Sequence, residues 1–171
     1  LYMGERGSGL LGIRLLLDRR DILKAQLRAI LRAAAVAPLS VAVPGAVSPE
    51  EIRRLKAVMI ETAGELKSEG VAFGDRVSLG AVIDTPGAAV CGEKLAEEVD
   101  FFIADGDRLS SLALAADMGD PLMVDTVRRN PRPTLCLIES AAKAIHGSGN
   151  GKKMGVYGAV AFVRSLTERL I

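Results

Sequence analysis

The sequence predicts an α/β fold with parallel strands. Three observations carry this prediction. Short apolar segments alternate with amphipathic helical segments along the 171 residues, polar residues follow the predicted strands, and the length suits one domain. Four predicted strands are too few to close the usual eight-stranded barrel, which takes about 250 residues. We therefore expect an open sheet or a partial barrel, in a single domain over residues 1–171.

The first half of the chain predicts two helices and a strand. Apolar residues at helical spacing predict an amphipathic helix over Asp18–Val36, which Pro38 ends. Leu39–Val43 follows as a short β-rich segment. Ser48-Pro49-Glu50-Glu51 combines a capping serine, a proline at the first helical position and a glutamate three residues after the cap. A long helix is therefore expected from Pro49 to about Gly70.

The second half predicts the same alternation. The expected elements are a strand over Val77–Ile83, a helix from Pro86 to about Glu98, a strand over Val99–Ala104, a turn at Asp105-Gly106-Asp107, a helix around Leu109–Ala116, a loop rich in proline and arginine, a helix over Thr134–His146, a strand over Met154–Tyr157 and a last helix from about Val160. Parallel β/α units of this kind place their sites at the carboxyl ends of the strands.

Composition and charge exclude several classes of function. Lysine and arginine number 22 against 21 aspartates and glutamates, a net charge of +1 that offers no field for a nucleic acid. No apolar run approaches the roughly 18 residues of a membrane span, and the first residues lack a signal-peptide layout. We expect a cytoplasmic protein with no membrane partner. Cys91 and Cys136 lie in apolar helical patterns and are expected to be reduced core thiols.

Several segments agree with one family in order and spacing over about residues 9 to 170. They are Gly12-Ile13-Arg14, Asp18-Arg19-Arg20-Asp21-Ile22-Leu23, Gln26-Leu27-Arg28-Ala29-Ile30-Leu31-Arg32-Ala33, Gly80-Ala81-Val82-Ile83-Asp84-Thr85-Pro86, Val99-Asp100-Phe101-Phe102 and Gly155-Val156-Tyr157-Gly158. Together they resemble the C-terminal phosphoenolpyruvate-binding barrel of enzyme I of the bacterial sugar phosphotransferase system, a member of the PEP-utilising enzymes. The resemblance implies a TIM-type (β/α) barrel, shortened here.

The resemblance also implies a chemistry. In the family the barrel binds phosphoenolpyruvate and magnesium, and passes the phosphoryl group to a histidine on a separate swivelling domain. Asp84 matches the family's magnesium-binding glutamate, and Asp105-Gly106-Asp107-Arg108 stands where the family has Gly-Thr-Asn-Asp. Arg108 thus occupies the position of a magnesium-binding aspartate, and Tyr157 that of the cysteine that protonates the enolate.

The chain departs from the family at its substrate cations. Leu11, Ser40 and Met118 stand where the family has arginines, and none of them can pair bidentately with phosphate. His146, the one histidine of the sequence, lies toward the end of a predicted helix rather than in a phosphoacceptor loop. The swivelling domain is expected to be absent.

Three hypotheses about function remain open. The first is a catalytically silent barrel domain that serves as an interaction or regulatory module and holds no cofactor. The second is an active domain on phosphoenolpyruvate or a related oxoacid, with Asp84, Asp105 and Asp107 as Mg²⁺ ligands, Asp107 and Arg108 near the substrate and Tyr157 as the acid. The third is an altered gene product without a selected function.

The resemblance and the strand pattern make geometric predictions. Asp84, Asp105 and Tyr157 should lie near one rim of parallel strands that follow chain order. A guanidinium placed beside a carboxylate should replace the cation, so Asp84 and Arg108 are predicted to form an ion pair with no metal bound. An incomplete barrel leaves sheet edges uncovered, which predicts a homodimer or a companion protein chain.

Overall fold

The computed structural model of the chain describes residues 12–116 and 121–162. Within them, strands and helices alternate. In chain order the elements are α1 (Ile13–Asp18), α2 (Arg20–Ala34), β1 (Leu39–Val43), α3 (Pro49–Ser68), β2 (Val77–Ile83), α4 (Pro86–Val90), α5 (Gly92–Leu95), β3 (Phe101–Asp105), α6 (Gly106–Ala113), α7 (Pro121–Arg129), α8 (Arg132–Gly147), β4 (Lys153–Tyr157) and a 3₁₀ helix (Ala159–Phe162).

The strands of this part of the chain form one sheet in the order β1-β2-β3-β4, and each neighbouring pair is parallel. The register aligns Ile83 with Ala104, and Asp105 with Tyr157. Parallel strands in chain order, joined by helices, are the arrangement found in part of a (β/α) barrel. The predicted α/β fold, a partial TIM-type barrel with parallel strands, is confirmed.

One face of the sheet lies in the hydrophobic core. Leu79, Ala81 and Ile83 of β2 join Phe102 and Ala104 of β3 in a buried cluster with apolar side chains from the helices. α2 packs against α3, while α4, α5 and α6 pack against α8. This packing fixes the strands relative to the helices, and therefore fixes the loops at the carboxyl ends of the strands.

The other face of the sheet and its edges are more open. The ring of Phe101 lies over Gly80, where an added Cβ would come within 2.5 Å of ring atoms. Along β4, which is an edge strand in the described part, exposed residues alternate with half-buried ones, and Tyr157 is 45% exposed. β1 forms the opposite edge.

Both ends of α3 follow from local sequence. Ser48 accepts a hydrogen bond from the backbone N–H of Glu51, and the Glu51 carboxylate accepts one from the N–H of Ser48, which completes the predicted capping box. At the other end Gly70 has φ of 69°, and the N–H of Val71 donates to the carbonyl of Leu66 at 2.9 Å. This is a Schellman termination, for which glycine is suited because it has no Cβ.

Two predicted helices are each divided. The helix expected over Asp18–Val36 begins at Arg20, and α1 precedes it across a break at Arg19. The helix expected from Pro86 divides at Cys91 into α4 and α5. Gly92, the first residue of α5, packs closely against α8, where an added Cβ would lie 3.1 Å from the side chain of Ile145.

Other sequence predictions need correction. The proline- and arginine-rich loop contains helix α7, and the third strand begins at Phe101 rather than Val99. Cys136 is exposed and Cys91 half-buried, so neither is the core thiol that was expected. Where the last helix was expected, from about Val160, the structure has a 3₁₀ helix over Ala159–Phe162, and the rest of that expected helix lies outside the described residues. None of the described helices is both long and apolar enough to cross a lipid bilayer.

Candidate functional site

The carboxyl ends of neighbouring strands bring three of the sequence-predicted residues to one rim. Asp84 directly follows β2, Asp105 ends β3, and Tyr157 ends β4. The residues just before Asp84 and Asp105 are register partners, as are Asp105 and Tyr157 themselves. Parallel strands end at the same edge of a sheet. The predicted placement of these three residues near one rim is therefore confirmed.

Asp105 is the centre of a hydrogen-bonded cluster at this rim. Its side chain is buried, with 7% of the residue exposed. Its Oδ1 accepts the backbone N–H of Arg108 at 2.9 Å, and its Oδ2 accepts the hydroxyl of Tyr157 at 2.5 Å. Asp105 is thus the N-cap of α6, so the predicted turn at Asp105-Gly106-Asp107 is the beginning of a helix.

Asp84 lies deeper and accepts hydrogen bonds from the loop after β1. It is 4% exposed, and the N–H of Gly45 lies 3.2 Å and 3.1 Å from its two carboxylate oxygens. Burial raises the pKa of Asp84, against the opposing effects of the Gly45 N–H and the nearby charge of Arg108, while the charge of Asp105 raises it further. Gly45 was not among the predicted site residues, although Pro44-Gly45 signals a turn at this edge.

The predicted ion pair between Asp84 and Arg108 is wrong. Among the described residues, no nitrogen of Arg108 lies within 4 Å of an Asp84 oxygen, and the buried Nε of Arg108 has no hydrogen-bond partner. The physical reason lies in the backbone: Gly45 draws the Asp84 carboxylate toward the β1 side, while Asp105 holds the backbone of Arg108 in the first turn of α6. The guanidinium therefore acts on Asp84 through space rather than by contact.

Asp107 is exposed and holds the loop after β4. Its Oδ1 accepts the backbone N–H of Ala159 at 2.7 Å. Gly158, which has φ of 100°, lies close enough that an added Cβ would come within 2.9 Å of the Asp107 carboxyl carbon. The side chain that the sequence suggested for substrate or metal therefore has a structural partner of its own.

The three rim carboxylates do not form the metal site that the resemblance implies. In the described ranges, no group of three or more His, Cys, Asp or Glu side chains is placed to hold a metal ion. Asp84, Asp105 and Asp107 each accept hydrogen bonds from the protein instead. Magnesium requires near-octahedral oxygen ligands at about 2.0–2.1 Å. The described residues do not group these three carboxylates in such an arrangement.

The remaining positions noted in the sequence are dispersed. Ser40, at one substrate-arginine position, is an exposed residue of β1, and His146 is exposed in the last turn of α8. Leu11 and Met118, at the other two positions, lie outside the described residues. The part of the chain that the structure describes thus brings Asp84, Arg108 and the Asp105–Tyr157 pair together and leaves His146 apart.

Comparison with known families identifies the kind of domain that carries this rim. The model of a family described as "PEP-utilising enzyme, PEP-binding domain" matches residues 7–171. The chain belongs to this family. The resemblance predicted from the sequence segments is confirmed, and the rim lies at the carboxyl ends of the strands, where barrel folds have their sites.

Curated relatives of this PEP-utilising domain share one name, phosphoenolpyruvate-protein phosphotransferase. The protein from Haemophilus influenzae is 42% identical over 149 residues, covering 87% of this chain and 26% of the relative. The one from Buchnera aphidicola (subsp. Schizaphis graminum) is 35% identical over 159 residues, 93% of this chain and 28% of the relative. The one from Staphylococcus aureus is 34% identical over 154 residues, which cover 90% of this chain and 26% of the relative. The chain thus spans about a quarter of the length of these relatives.

Proposed function

We propose that this PEP-utilising family domain does not catalyse phosphoryl transfer and acts as an interaction or regulatory module. The observation that supports this most directly is the state of the rim carboxylates. Asp105 is occupied by Tyr157 and by the backbone of α6, and Asp107 by the backbone of Ala159. Phosphoryl transfer relies on positioning and on cations that neutralise the phosphate oxygens. The hydrogen bonds of Asp105 and Asp107 hold the starts of the segments after β3 and β4, which supports a structural role for these carboxylates.

The charge at the rim supports the same proposal. Arg108 provides a fixed positive charge within electrostatic range of Asp84 and close to Asp105 in sequence. A guanidinium within electrostatic range of Asp84 partly offsets the charge of that carboxylate without a metal, and it repels a divalent cation that approaches the same oxygens. The position that the family uses to attract magnesium is thus electrostatically opposed to it here.

The positions at which the family has substrate arginines also lack cations in this sequence. Ser40 on β1 is a short hydroxyl side chain, and Leu11 and Met118 are apolar by sequence. A guanidinium binds phosphate through two parallel hydrogen bonds, which none of these three side chains can replace. We expect weak affinity for phosphoenolpyruvate.

Tyr157 is poorly suited to the role of the family's cysteine. Its hydroxyl proton is donated to Asp105 at 2.5 Å, and an ordinary tyrosine titrates near pH 10. Proton delivery to an enolate needs an acid whose pKa lies near the working pH and whose proton is directed at substrate. Here the proton is directed at the protein's own carboxylate.

The module is proposed to associate with a second copy of itself or with a companion chain. In the described sheet, β1 and β4 each have a strand on one side only, and four parallel strands are half of a closed barrel. A homodimer that buries well over roughly 1,000 Å² would suit such a surface. A stable monomer by light scattering at micromolar concentration would contradict this part of the proposal.

Activity and ligand binding test the main proposal together. We expect no pyruvate release from phosphoenolpyruvate above a control without protein, no phosphoryl transfer to a histidine-containing acceptor protein, and no thermal stabilisation by magnesium with phosphoenolpyruvate. The active alternative predicts the reverse: pyruvate release that Asp84→Ala abolishes, and ligand-dependent stabilisation of the wild type.

A charge variant makes the experiment sharper. Arg108→Asp restores the charge type that the family has at this position, so calorimetric titration with magnesium should detect binding to this variant and none to the wild type. Arg32→Asp, at an exposed position on α2, is the matched control for the change in net charge. Magnesium binding by the wild type at low millimolar concentration would overturn the proposal.

A further inference from the structure

The corner between α7 and α8 carries three arginines close together, Arg128, Arg129 and Arg132, here called the α7–α8 arginine cluster. We propose that this cluster is the docking site for a carboxylate-rich surface of a partner protein. The proposal rests on the interaction role inferred above and gives that role a location and a partner chemistry.

All three arginines of the cluster are exposed, and none forms a side-chain hydrogen bond or an ion pair with the part of the chain that the structure describes. The helices on the other side of the domain differ. The arginines that pair with glutamates there are Arg14, Arg20, Arg28 and Arg53. The cluster is thus a concentration of positive charge without an ion pair in the described residues, and Asp125, one turn earlier on α7, offsets only part of it.

Helix stability does not explain Arg132. It is the first residue of α8, after the N-cap Pro131, which provides no side-chain cap. The amino end of a helix carries partial positive charge, so a cation there is unfavourable, and the first turn of α8 contains no acidic residue to offset it. Arg128 and Arg129 lie in the last turn of α7, where cations are favourable. The cluster therefore includes a cation at a position that the helix dipole disfavours.

The backbone of the corner is well fixed. The side-chain amide of Asn130 donates to the backbone carbonyl of Thr126 at 2.8 Å, and the backbone N–H of Asn130 donates to the carbonyl of Val127 at 3.1 Å. Pro131 and Pro133 restrict the backbone on either side of Arg132. A surface that is ordered before binding loses less conformational entropy when a partner docks.

The cluster lies at the same end of the sheet as the candidate site. Thr134, in the first turn of α8, hydrogen-bonds to Ser110 of α6 at 2.8 Å. α6 begins directly after Asp105, at the carboxyl end of β3. A partner held by the cluster would therefore contact the domain beside the rim, where the family has its chemistry.

The chemistry of the cluster favours carboxylates on a protein. Each guanidinium can hold one carboxylate through two hydrogen bonds, and the three lie on two different helices, which suits several dispersed carboxylates rather than one phosphate. A nucleic acid would need a much wider basic field than a chain of net charge +1 provides. An acidic surface loop or segment is the partner that fits.

Fluorescence anisotropy with a labelled oligoglutamate peptide tests the proposal. Changing all three arginines of the cluster to glutamine should weaken peptide binding by about tenfold or more, which corresponds to about 1.4 kcal/mol. The matched control changes Arg32, Lys67 and Lys143 to glutamine, which removes the same charge from exposed positions elsewhere. This control should bind the peptide nearly as well as the wild type.

Three results would overturn the proposal: no binding of the peptide by the wild type, equal losses in the two triple variants, or tighter binding of a labelled polyuridine than of the peptide. Arg132→Gln alone guards against misfolding, because it should weaken binding without lowering the melting temperature. The outcome is separable from that of the proposed function, since pyruvate release would refute catalytic silence without affecting peptide binding.

Discussion

The hydroxyl of Tyr157 donates a 2.5 Å hydrogen bond to Oδ2 of Asp105, its register partner on the neighbouring parallel strand. The other oxygen of Asp105 caps α6 through the N–H of Arg108. A single buried carboxylate therefore joins the ends of β3 and β4 to the start of the following helix. Satisfying both oxygens within the protein is what allows a charged group to be buried there at low cost.

Removing the Tyr157 hydroxyl tests this connection. Tyr157→Phe should lower the free energy of unfolding by about 1 kcal/mol, because a hydrogen bond to a charged acceptor is lost while water can reach the half-exposed site and replace part of it. Urea denaturation measures the change. Asp105→Asn, which keeps an oxygen acceptor for α6, is the companion variant. An unchanged stability for Tyr157→Phe would mean that the bond contributes nothing net.

Asp84 should make stability depend on pH in the opposite sense to most carboxylates. Its folded-state pKa is raised above the ordinary 3.8 by burial. Well below the ordinary value of 3.8, the Asp84 carboxyl is protonated in both the folded and the unfolded protein, so its burial involves no cost of desolvating a charge. As the pH rises through the folded-state pKa, the unfolded state gains an advantage, so the contribution of Asp84 to stability is lost.

Asp84→Asn should therefore become more stable relative to the wild type as the pH rises from about 3 to 7. The amide oxygen can still accept the N–H of Gly45. Asp84→Ala is the contrasting variant, since it removes the side-chain acceptor of the half-buried Gly45 N–H and should lose stability at every pH. A difference between Asn and wild type that is independent of pH would contradict the raised pKa.

α2 and α3 are joined by a ladder of largely exposed ion pairs, whose members are Arg20–Glu61, Lys24–Glu61, Lys24–Glu65, Arg28–Glu65 and Arg28–Glu69. A hydrogen bond from Lys24 is the largest cause of the lowered pKa of Glu61. The stabilisation is present above the ordinary glutamate value of 4.5 and is lost as the pH falls through the lowered one.

Lys24→Gln should reduce this loss of stability in acid, and added salt should weaken the ladder, with small effects because the pairs are exposed. Thermal melts between about pH 3 and pH 7 measure both. Lys67→Gln, an exposed lysine on α3 with no ion pair in the described structure, is the control. Identical acid profiles for the two variants would show that the ladder does not contribute.

The strand ends could be predicted because their signals are local. A β-rich segment followed by Asp84-Thr85-Pro86 shows where β2 stops, and parallel geometry then brings Asp84, Asp105 and Tyr157 to one rim. The boundaries of helices that depend on packing could not be predicted. The division between α4 and α5 at Cys91 is an example, because no local pattern in the sequence marks it.

The contacts within the site show a similar limit. The family resemblance predicts that Arg108 lies near Asp84, and its charge does affect that carboxyl, but the hydrogen bond to Asp84 comes from Gly45, which the resemblance does not indicate. The prolines and arginines around α7 are typical of a loop, whereas Met123, Val124 and Val127 within it have helical spacing. The hydrogen-bond partner of a side chain depends on how several loops are placed relative to one another. Local sequence patterns predict each loop only by itself.

Gly158 provides a backbone test of the loop that Asp107 holds. Its φ of 100° is unfavourable for any residue with a Cβ, and an added Cβ would lie 3.0 Å from the Asp107 backbone nitrogen. Gly158→Ala should lower the free energy of unfolding by about 2 kcal/mol. Gly155→Ala, in β4 with open space around the added carbon, should change it little. Equal costs for the two variants in urea denaturation would contradict the strain argument.

Arg132 gives a prediction in which stability and binding move in opposite directions. Arg132→Glu places a negative charge at the amino end of α8, where no acidic residue stands in the first turn, and should raise the free energy of unfolding by about 0.3–1 kcal/mol. Arg128→Glu is the matched control, because the same reversal at the carboxyl end of α7 should lower it by a similar amount. High salt should reduce both effects.

Both variants should lose affinity for the oligoglutamate peptide, since a docking surface needs the charge whatever it does to the helix. If Arg132→Glu destabilised the protein as Arg128→Glu does, Arg132 would be a structural residue, and its unfavourable position would no longer point to a partner.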